Sequence, residues 1–273
     1  MKAFLQSLVV AVLLALPLAA HAGNLTVKGS DTMVILGQRW AEEFMKKNAA
    51  TKVQVTGGGS GVGLAALQNG TTEIAMSSRE MKDAEKQKLR SRYNTTGTEV
   101  PVAKDGVTFY VHEGSPVNSL TVEQLRGIYV GDVTNWKQVG GPDAPIIVYS
   151  RENSSGTYSF VKDHVLDGED YAASAQTLPG TAAVVNAVSK EKNSIGYGGA
   201  AYAKGIKELK IKVGNEEIAP SAENIKTGKY PLSRDLYFYL RNKPAGDAKA
   251  FIDFALSPEG QALVTKVGYF PVK

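Results

Sequence analysis

Short apolar strand-sized runs alternate with helix-sized amphipathic segments from Leu25 to Lys266, and this alternation narrows the possible folds more than any other feature of the chain. It calls for an α/β fold with mainly parallel sheets. Met33, Leu36, Gly37, Trp40, Ala41 and Phe44 recur at helical spacing. Val53 and Val55 mark a strand, Val62 to Gln68 a helix stopped by Gly70, and Ile74 to Met76 a buried strand. Lys82 to Arg92 reads as a solvated helix. Val100 to Ala103 and Val107 to Val111 read as two strands. Thr121-Val122-Glu123-Gln124 is a capping box opening a helix. Beyond it come a strand at Ile146 to Tyr149, helices at Tyr158 to Leu166 and Thr181 to Ser189, and strands at Ile195 to Tyr197 and Leu236 to Leu240. Two helices close the series, Ala248 to Leu256 and Pro258 to Lys266, the second with Ser257 as N-cap.

Composition excludes several chemistries. The chain of 273 residues has no cysteine, which removes disulfides, thiolate zinc sites and Cys nucleophiles. His21, His112 and His164 are too few for a multi-histidine metal centre, so no metal and no cofactor are expected. The formal charge of +4 comes without a dense Lys/Arg stripe interleaved with aromatics, so no nucleic-acid partner is expected.

Lys2, the apolar run Leu8 to Leu18 and the small-x-small triplet Ala20-His21-Ala22 form a secretory leader, residues 1–22, cleaved after Ala22. The run is too short for a spanning anchor, which needs about 20 apolar residues. With no cysteine before the cut, a lipoprotein anchor is excluded, and a periplasmic protein follows as the expectation.

Four polar loops each follow a strand and are read as leading into a helix: Gly29-Ser30-Asp31-Thr32, Gly57 to Gly63 around Ser60, Ser77-Ser78-Arg79, and Arg151-Glu152-Asn153-Ser154-Ser155-Gly156-Thr157. A helix start leaves N–H groups without partners and carries partial positive charge. Hydroxyls add donors on short tethers, and Arg79 and Arg151 would add charged forks. Any one loop is explained by ordinary N-capping. Four together, in an exported α/β chain, point to a site for a tetrahedral oxyanion. The glycine run lacks the Gly-Lys-Ser/Thr ending of a nucleotide loop, and its Gly-x-Gly-x-x-Gly match has no acidic residue suitably placed for a ribose.

These loops, with Leu25 to Thr32, Val53 to Gly63, Glu73 to Arg79 and Ser150 to Thr157, make the chain resemble the phosphate-binding proteins of bacterial ABC phosphate importers. Ser194 to Tyr197 and Tyr202-Ala203-Lys204 extend the resemblance, which covers the chain beyond the leader. The resemblance implies the two-lobe periplasmic-binding-protein fold, type II-like, with phosphate dehydrated between lobes. Lobe one would hold residues 24–105 plus 234–273 and lobe two residues 106–233, with crossings near Lys104 to Thr108 and Pro231 to Arg234. It implies a membrane permease as partner, a monomer, and no catalysis. Ligand donors carried over are Thr32, Ser60, Arg151, Ser155, Gly156 and Thr157, with Ser30, Asp31, Ser78 and Arg79 beside them. Some members place an aspartate, which accepts the phosphate proton, where this chain has Ser78. Asp31 is the substitute acceptor. Sulfate, molybdate or tungstate would suit the same loops. A serine hydrolase using Ser60 or Ser155 would need His112 or His164 as base, and neither lies in a triad pattern.

Overall fold

The computed structural model describes residues 23–272. The leader read at residues 1–22 lies outside them. The elements, in order, are β1 (Gly23–Gly29), α1 (Val34–Lys47), β2 (Thr51–Thr56), α2 (Ser60–Asn69), β3 (Ile74–Ser77), α3 (Asp83–Tyr93) and β4 (Thr98–Val111). Then follow β5 (Ser119–Leu120), α4 (Val122–Val130), β6 (Ile147–Arg151), α5 (Gly156–His164), β7 (Gln176–Leu178), α6 (Gly180–Val188) and β8 (Ser194–Gly199). The last are β9 (Lys207–Glu208), β10 (Lys210–Val213), β11 (Glu216–Ile218), α7 (Ala222–Lys226), β12 (Ser233–Leu240), α8 (Gly246–Leu256) and α9 (Pro258–Val267).

The caps read from sequence form as hydrogen bonds. Thr121 accepts from the Gln124 N–H at 3.2 Å while the Gln124 side chain accepts from the Thr121 N–H at 3.0 Å. Ser257 accepts from the Gly260 N–H at 3.1 Å, and Gly70 ends α2 in the left-handed conformation.

The main sheet runs β2-β1-β3-β12-β4-β8-β6-β7, with β9 added beside β4, and a second small sheet runs β11-β10-β5. Within the main sheet, the expectation of mainly parallel pairing holds only at the two flanks. There β1 pairs in parallel with β2 and β3, and β6 with β7 and β8. The middle is antiparallel, β12 against β3 and β4, and β4 against β8. Parallel neighbours need a long crossover, whereas an extended segment that turns back pairs antiparallel.

β4 replaces the two strands read at Val100 to Ala103 and Val107 to Val111. Its first part pairs with β12 as far as Gly106, and from Val107 it pairs with β8. The polar interruption at Asp105 does not break the strand, because Asp105 stands in register with Arg234 and is paired with it. A buried charge with a forked partner can sit inside a sheet.

The two largest apolar cores among the described residues lie on either side of this junction. One gathers Leu25, Trp40, Phe44, Phe238 and Phe251, from α1, β1, β12 and α8. The other gathers Phe109, Tyr129, Trp136, Tyr197 and Leu209, all between Val107 and Leu232. These are the two lobes of the fold. No helix of the described residues is long and apolar enough to cross a membrane.

Candidate functional site

Between the two cores lies a cluster of buried hydroxyls. Ser30, Thr32, Ser60, Ser78 and Thr157 are each at most 1% exposed. Isolated buried hydroxyls are costly, so each must find a partner. Here they find one another: Ser30 Oγ donates to Ser78 Oγ at 2.9 Å, and Ser60 Oγ lies 3.3 Å from Ser78 Oγ. The Ser78 N–H donates to Ser60 Oγ at 3.1 Å. Thr32 Oγ1 and Thr157 Oγ1, from opposite sides of the cleft, are 3.0 Å apart.

Two helix starts flank the cluster. Ser60 opens α2 and Gly156 opens α5, so their first N–H groups have no acceptor within their own helix. Ser155 is the N-cap of α5, its Oγ accepting from the Tyr158 N–H at 3.2 Å. The loops carrying these starts touch. The Gly61 N–H donates to the Ser154 carbonyl at 2.9 Å, and a Cβ on Gly59, whose φ is +96°, would lie 2.5 Å from that carbonyl oxygen. Only glycine meets both the dihedral angle and the gap.

Arg151, at the end of β6, is 1% exposed. Its Nη2 donates to Asp31 Oδ2 at 2.8 Å, Nη1 to Thr181 Oγ1 at 3.0 Å and Nε to Glu152 Oε2 at 3.2 Å. Asp31 therefore bridges the cleft, since its Oδ1 also accepts from the Gly58 N–H at 2.8 Å. Tyr202 donates to the Asp31 carbonyl at 2.7 Å from the opposite lobe. Below Arg151 lies Tyr197, whose hydroxyl accepts from the Arg151 N–H at 3.2 Å and whose phenol burial pushes up to about 12. It stays neutral at any physiological pH.

Of the residues singled out in the sequence, Ser30, Asp31, Thr32, Ser60, Ser78, Arg151, Ser155, Gly156 and Thr157 converge. Arg79 does not. Its Nη1 and Nη2 fork onto the Glu85 carboxylate, each at 2.8 Å. Burial raises that carboxyl, but the guanidinium outweighs it and holds Glu85 below the usual carboxylate range. The third loop also opens no helix, because α3 starts only at Asp83. Ser78 enters the cluster through its hydrogen bonds alone. Asp31, expected to accept a ligand proton, has both oxygens engaged by Gly58 and Arg151.

Sequence reasoning missed Arg234 and Asp105. Asp105 is fully buried; Arg234 reaches its Oδ2 from Nη2 at 2.8 Å and from Nε at 3.1 Å. Burial pushes the Asp105 carboxyl up, and the Arg234 guanidinium pulls it back. The only signal was two opposite charges at ends of strand-like runs, which reads as surface.

The site offers hydroxyls, helix-start N–H groups and a guanidinium, and it excludes water. That suits a tetrahedral oxyanion. Neither histidine of the described residues hydrogen-bonds a serine hydroxyl. His164 Nδ1 lies 3.0 Å from the Phe160 carbonyl with its ring stacked on Phe160, and His112 Nδ1 accepts from the Gly114 N–H. Among the described residues no cluster of His, Asp and Glu could hold a metal.

The chain as a whole is similar to proteins of known kind. Residues 17–259 match the model of the PBP superfamily domain. The phosphate-binding protein PstS of Pseudomonas aeruginosa is 34% identical over 270 residues, covering 92% of this chain and 84% of that protein. PstS of Bacillus subtilis is 31% identical over 252 residues, covering 92% and 81%. A crystal structure from Clostridium perfringens, described as a phosphate ABC transporter substrate-binding protein with bound phosphate, superposes with a TM-score of 0.84 at 31% identity, over 92% of this chain and all 100% of that one. An ABC-type phosphate transport receptor from Vibrio cholerae superposes with a TM-score of 0.73 at 31% identity, covering 90% and 99%.

Proposed function

We propose that this chain, which belongs to the PBP superfamily and within it to the phosphate-binding proteins of ABC phosphate importers, captures inorganic phosphate between its lobes and delivers it to a membrane permease. The observation that carries this reading is the fully buried hydroxyl cluster flanked by the starts of α2 and α5, with Arg151 beside it. Ser60, Gly156 and Thr157 would give N–H and hydroxyl donors, and Arg151 the compensating charge. Thr32 and Ser60 face Thr157 and Arg151 across the cleft, so an anion there favours the closed arrangement by contacts that an open one lacks.

The lobes are taken as residues 24–105 with 234–273, and 106–233; the two separate apolar cores support that division. The leader at residues 1–22 would send the chain to the periplasm, where it acts as a monomer and without turnover. The engagement of His112 and His164 away from Ser60 supports binding over hydrolysis.

Calorimetric titration of phosphate-stripped protein tests this. One phosphate per chain should bind tightly, with no product released. No heat and no rise in melting temperature at millimolar phosphate would overturn the reading. Heat with sulfate or molybdate and none with phosphate would assign the site to another oxyanion.

A further inference from the structure

Arg234 holds three parts of the molecule together. It is the second residue of β12, in register with Asp105 on β4, where the chain runs between the lobes. Nη1 donates to the Ser78 carbonyl at 3.0 Å, and Nη2 donates to Thr157 Oγ1 at 3.0 Å as well as to Asp105 Oδ2. Its guanidinium lies over the Phe160 ring, 5.3 Å from the centroid. Ser78 begins the loop after β3, whereas Thr157 and Phe160 belong to α5 of the other lobe. These bonds coexist only when the lobes meet. The bond to Thr157 also has a direction. A guanidinium only donates, so Thr157 Oγ1 accepts from it and its own proton is left to point onward. Thr32 Oγ1 lies 3.0 Å away, in a pair where either hydroxyl can be the donor.

We propose that Arg234 is a positioning residue of the anion site: anchored by Asp105, it orients the Thr157 hydroxyl as a donor and couples anion capture to lobe closure. This rests on the phosphate-binding reading and deepens it. A lysine could not serve, because a point charge cannot reach Asp105, the Ser78 carbonyl and Thr157 in one plane. The bland account is an ion pair that only neutralises Asp105. It predicts a loss of stability and no specific link to Thr157.

A double-mutant cycle separates the two. Wild type, Arg234→Lys, Thr157→Val and the double variant are stripped and titrated with inorganic phosphate, and each is measured ligand-free by small-angle scattering. Arg234→Lys keeps a positive charge against Asp105. Losing an oriented, charge-assisted hydrogen bond should weaken phosphate binding about tenfold or more in the wild-type background. In the Thr157→Val background the same change should cost less than about threefold, because its route is already cut. Losses that multiply, or Arg234→Lys within threefold of wild type, overturn the proposal. If Arg234→Lys does not fold, the neutral pair Asp105→Asn/Arg234→Gln replaces it, with the same tenfold loss expected and the same threefold limit. If wild type binds no phosphate, the functional reading fails by itself. Scattering then decides the coupling: a ligand-free Arg234 variant more extended than wild type supports it, and equal dimensions overturn it.

Discussion

Gly156 and Ser60 face each other across the cleft with no space for one added carbon: a Cβ on Gly156 would lie 2.2 Å from Ser60 Oγ and 2.6 Å from Ser78 Oγ. Neither hydroxyl is free to retreat, since Ser60 is held by the Ser78 N–H and Ser78 by Ser30. Gly156 sits at the first position of α5 in helical conformation, which alanine adopts at least as readily. Gly156→Ala should therefore leave each lobe folded and prop the cleft open. Overpacking of this kind costs about 1–3 kcal/mol, which corresponds to about 5- to 150-fold in phosphate affinity. Calorimetry alongside a ligand-free melt checks it. The melt should barely move, and an unchanged dissociation constant would mean the two helix starts do not close on the anion.

Arg151→Ala should have the largest effect of any single change. The side chain is buried, and its removal leaves Asp31 facing an empty place in the cleft. Truncating one member of a buried charge pair costs about 2–5 kcal/mol, roughly 30- to several-thousand-fold in affinity. Arg151→Lys should fall between, because lysine keeps the charge and loses the fork. Titration of both variants with phosphate measures this. Binding by Arg151→Ala within threefold of wild type would place the site elsewhere.

Much of the architecture was legible because local signals and tertiary packing agree. Helical spacing marked α1, and Thr121, Ser257 and Gly70 marked element ends that form as caps. The convergence of Ser60 with Ser155, Gly156 and Thr157 was legible only as a repeated loop chemistry, since each loop alone reads as a cap. What failed was whatever depends on partners distant in sequence. Asp105 looked like a break between strands, and its pairing with Arg234 across 129 positions turns it into the middle of one strand. Arg79 looked like a ligand fork beside Ser78; its partner Glu85 lies one turn into the next segment and draws it away. No periodicity signals that choice.

Glu208 should make stability depend on pH. It lies on β9 beside Tyr110, with Oε1 buried and without a hydrogen-bond partner among the described residues. Burial first, and the charge of Asp105 second, push its carboxyl from 4.5 up to about 7. The folded state thus binds this proton more tightly than the unfolded state. Its contribution is fully present below about 4.5, and is lost as pH rises through about 7. A tenfold difference in proton affinity between the two states is worth about 1.4 kcal/mol, and partial solvent access reduces the effect, so about 1–2 kcal/mol is expected. Glu208→Gln should be more stable than wild type at pH 8 and lose that advantage at pH 5. Denaturant unfolding at both values measures it, and the difference between the proteins cancels the other carboxylates. Equal gains at both pH values would mean that Glu208 is not the titrating group.

Asp31→Asn separates a clamp from a proton acceptor. Near neutral pH phosphate carries at least one proton and sulfate none, so a carboxylate pointing at the ligand would favour phosphate and repel sulfate. Asp31 has the right chemistry, but its Oδ1 accepts from the Gly58 N–H and its Oδ2 from Arg151. Its side chain is 21% exposed, at the rim, while the hydroxyls inside are at most 1% exposed. Those bonds suit a latch that ties Arg151 of one lobe to the first loop of the other. The asparagine oxygen can still accept from Gly58, but its amide then faces the guanidinium donor against donor. Loss of a hydrogen bond to a charged group costs about 1.5–3 kcal/mol. Because the latch acts on closure and not on the ligand's proton, phosphate and sulfate should weaken together and their affinity ratio should stay as in wild type. Paired titrations of wild type and Asp31→Asn with both anions measure that ratio. A collapse of the ratio, with sulfate gaining on phosphate, would assign the acceptor role to Asp31; a constant ratio leaves discrimination to the buried hydroxyls, each of which can accept from the phosphate proton and donate to the oxygens of either anion.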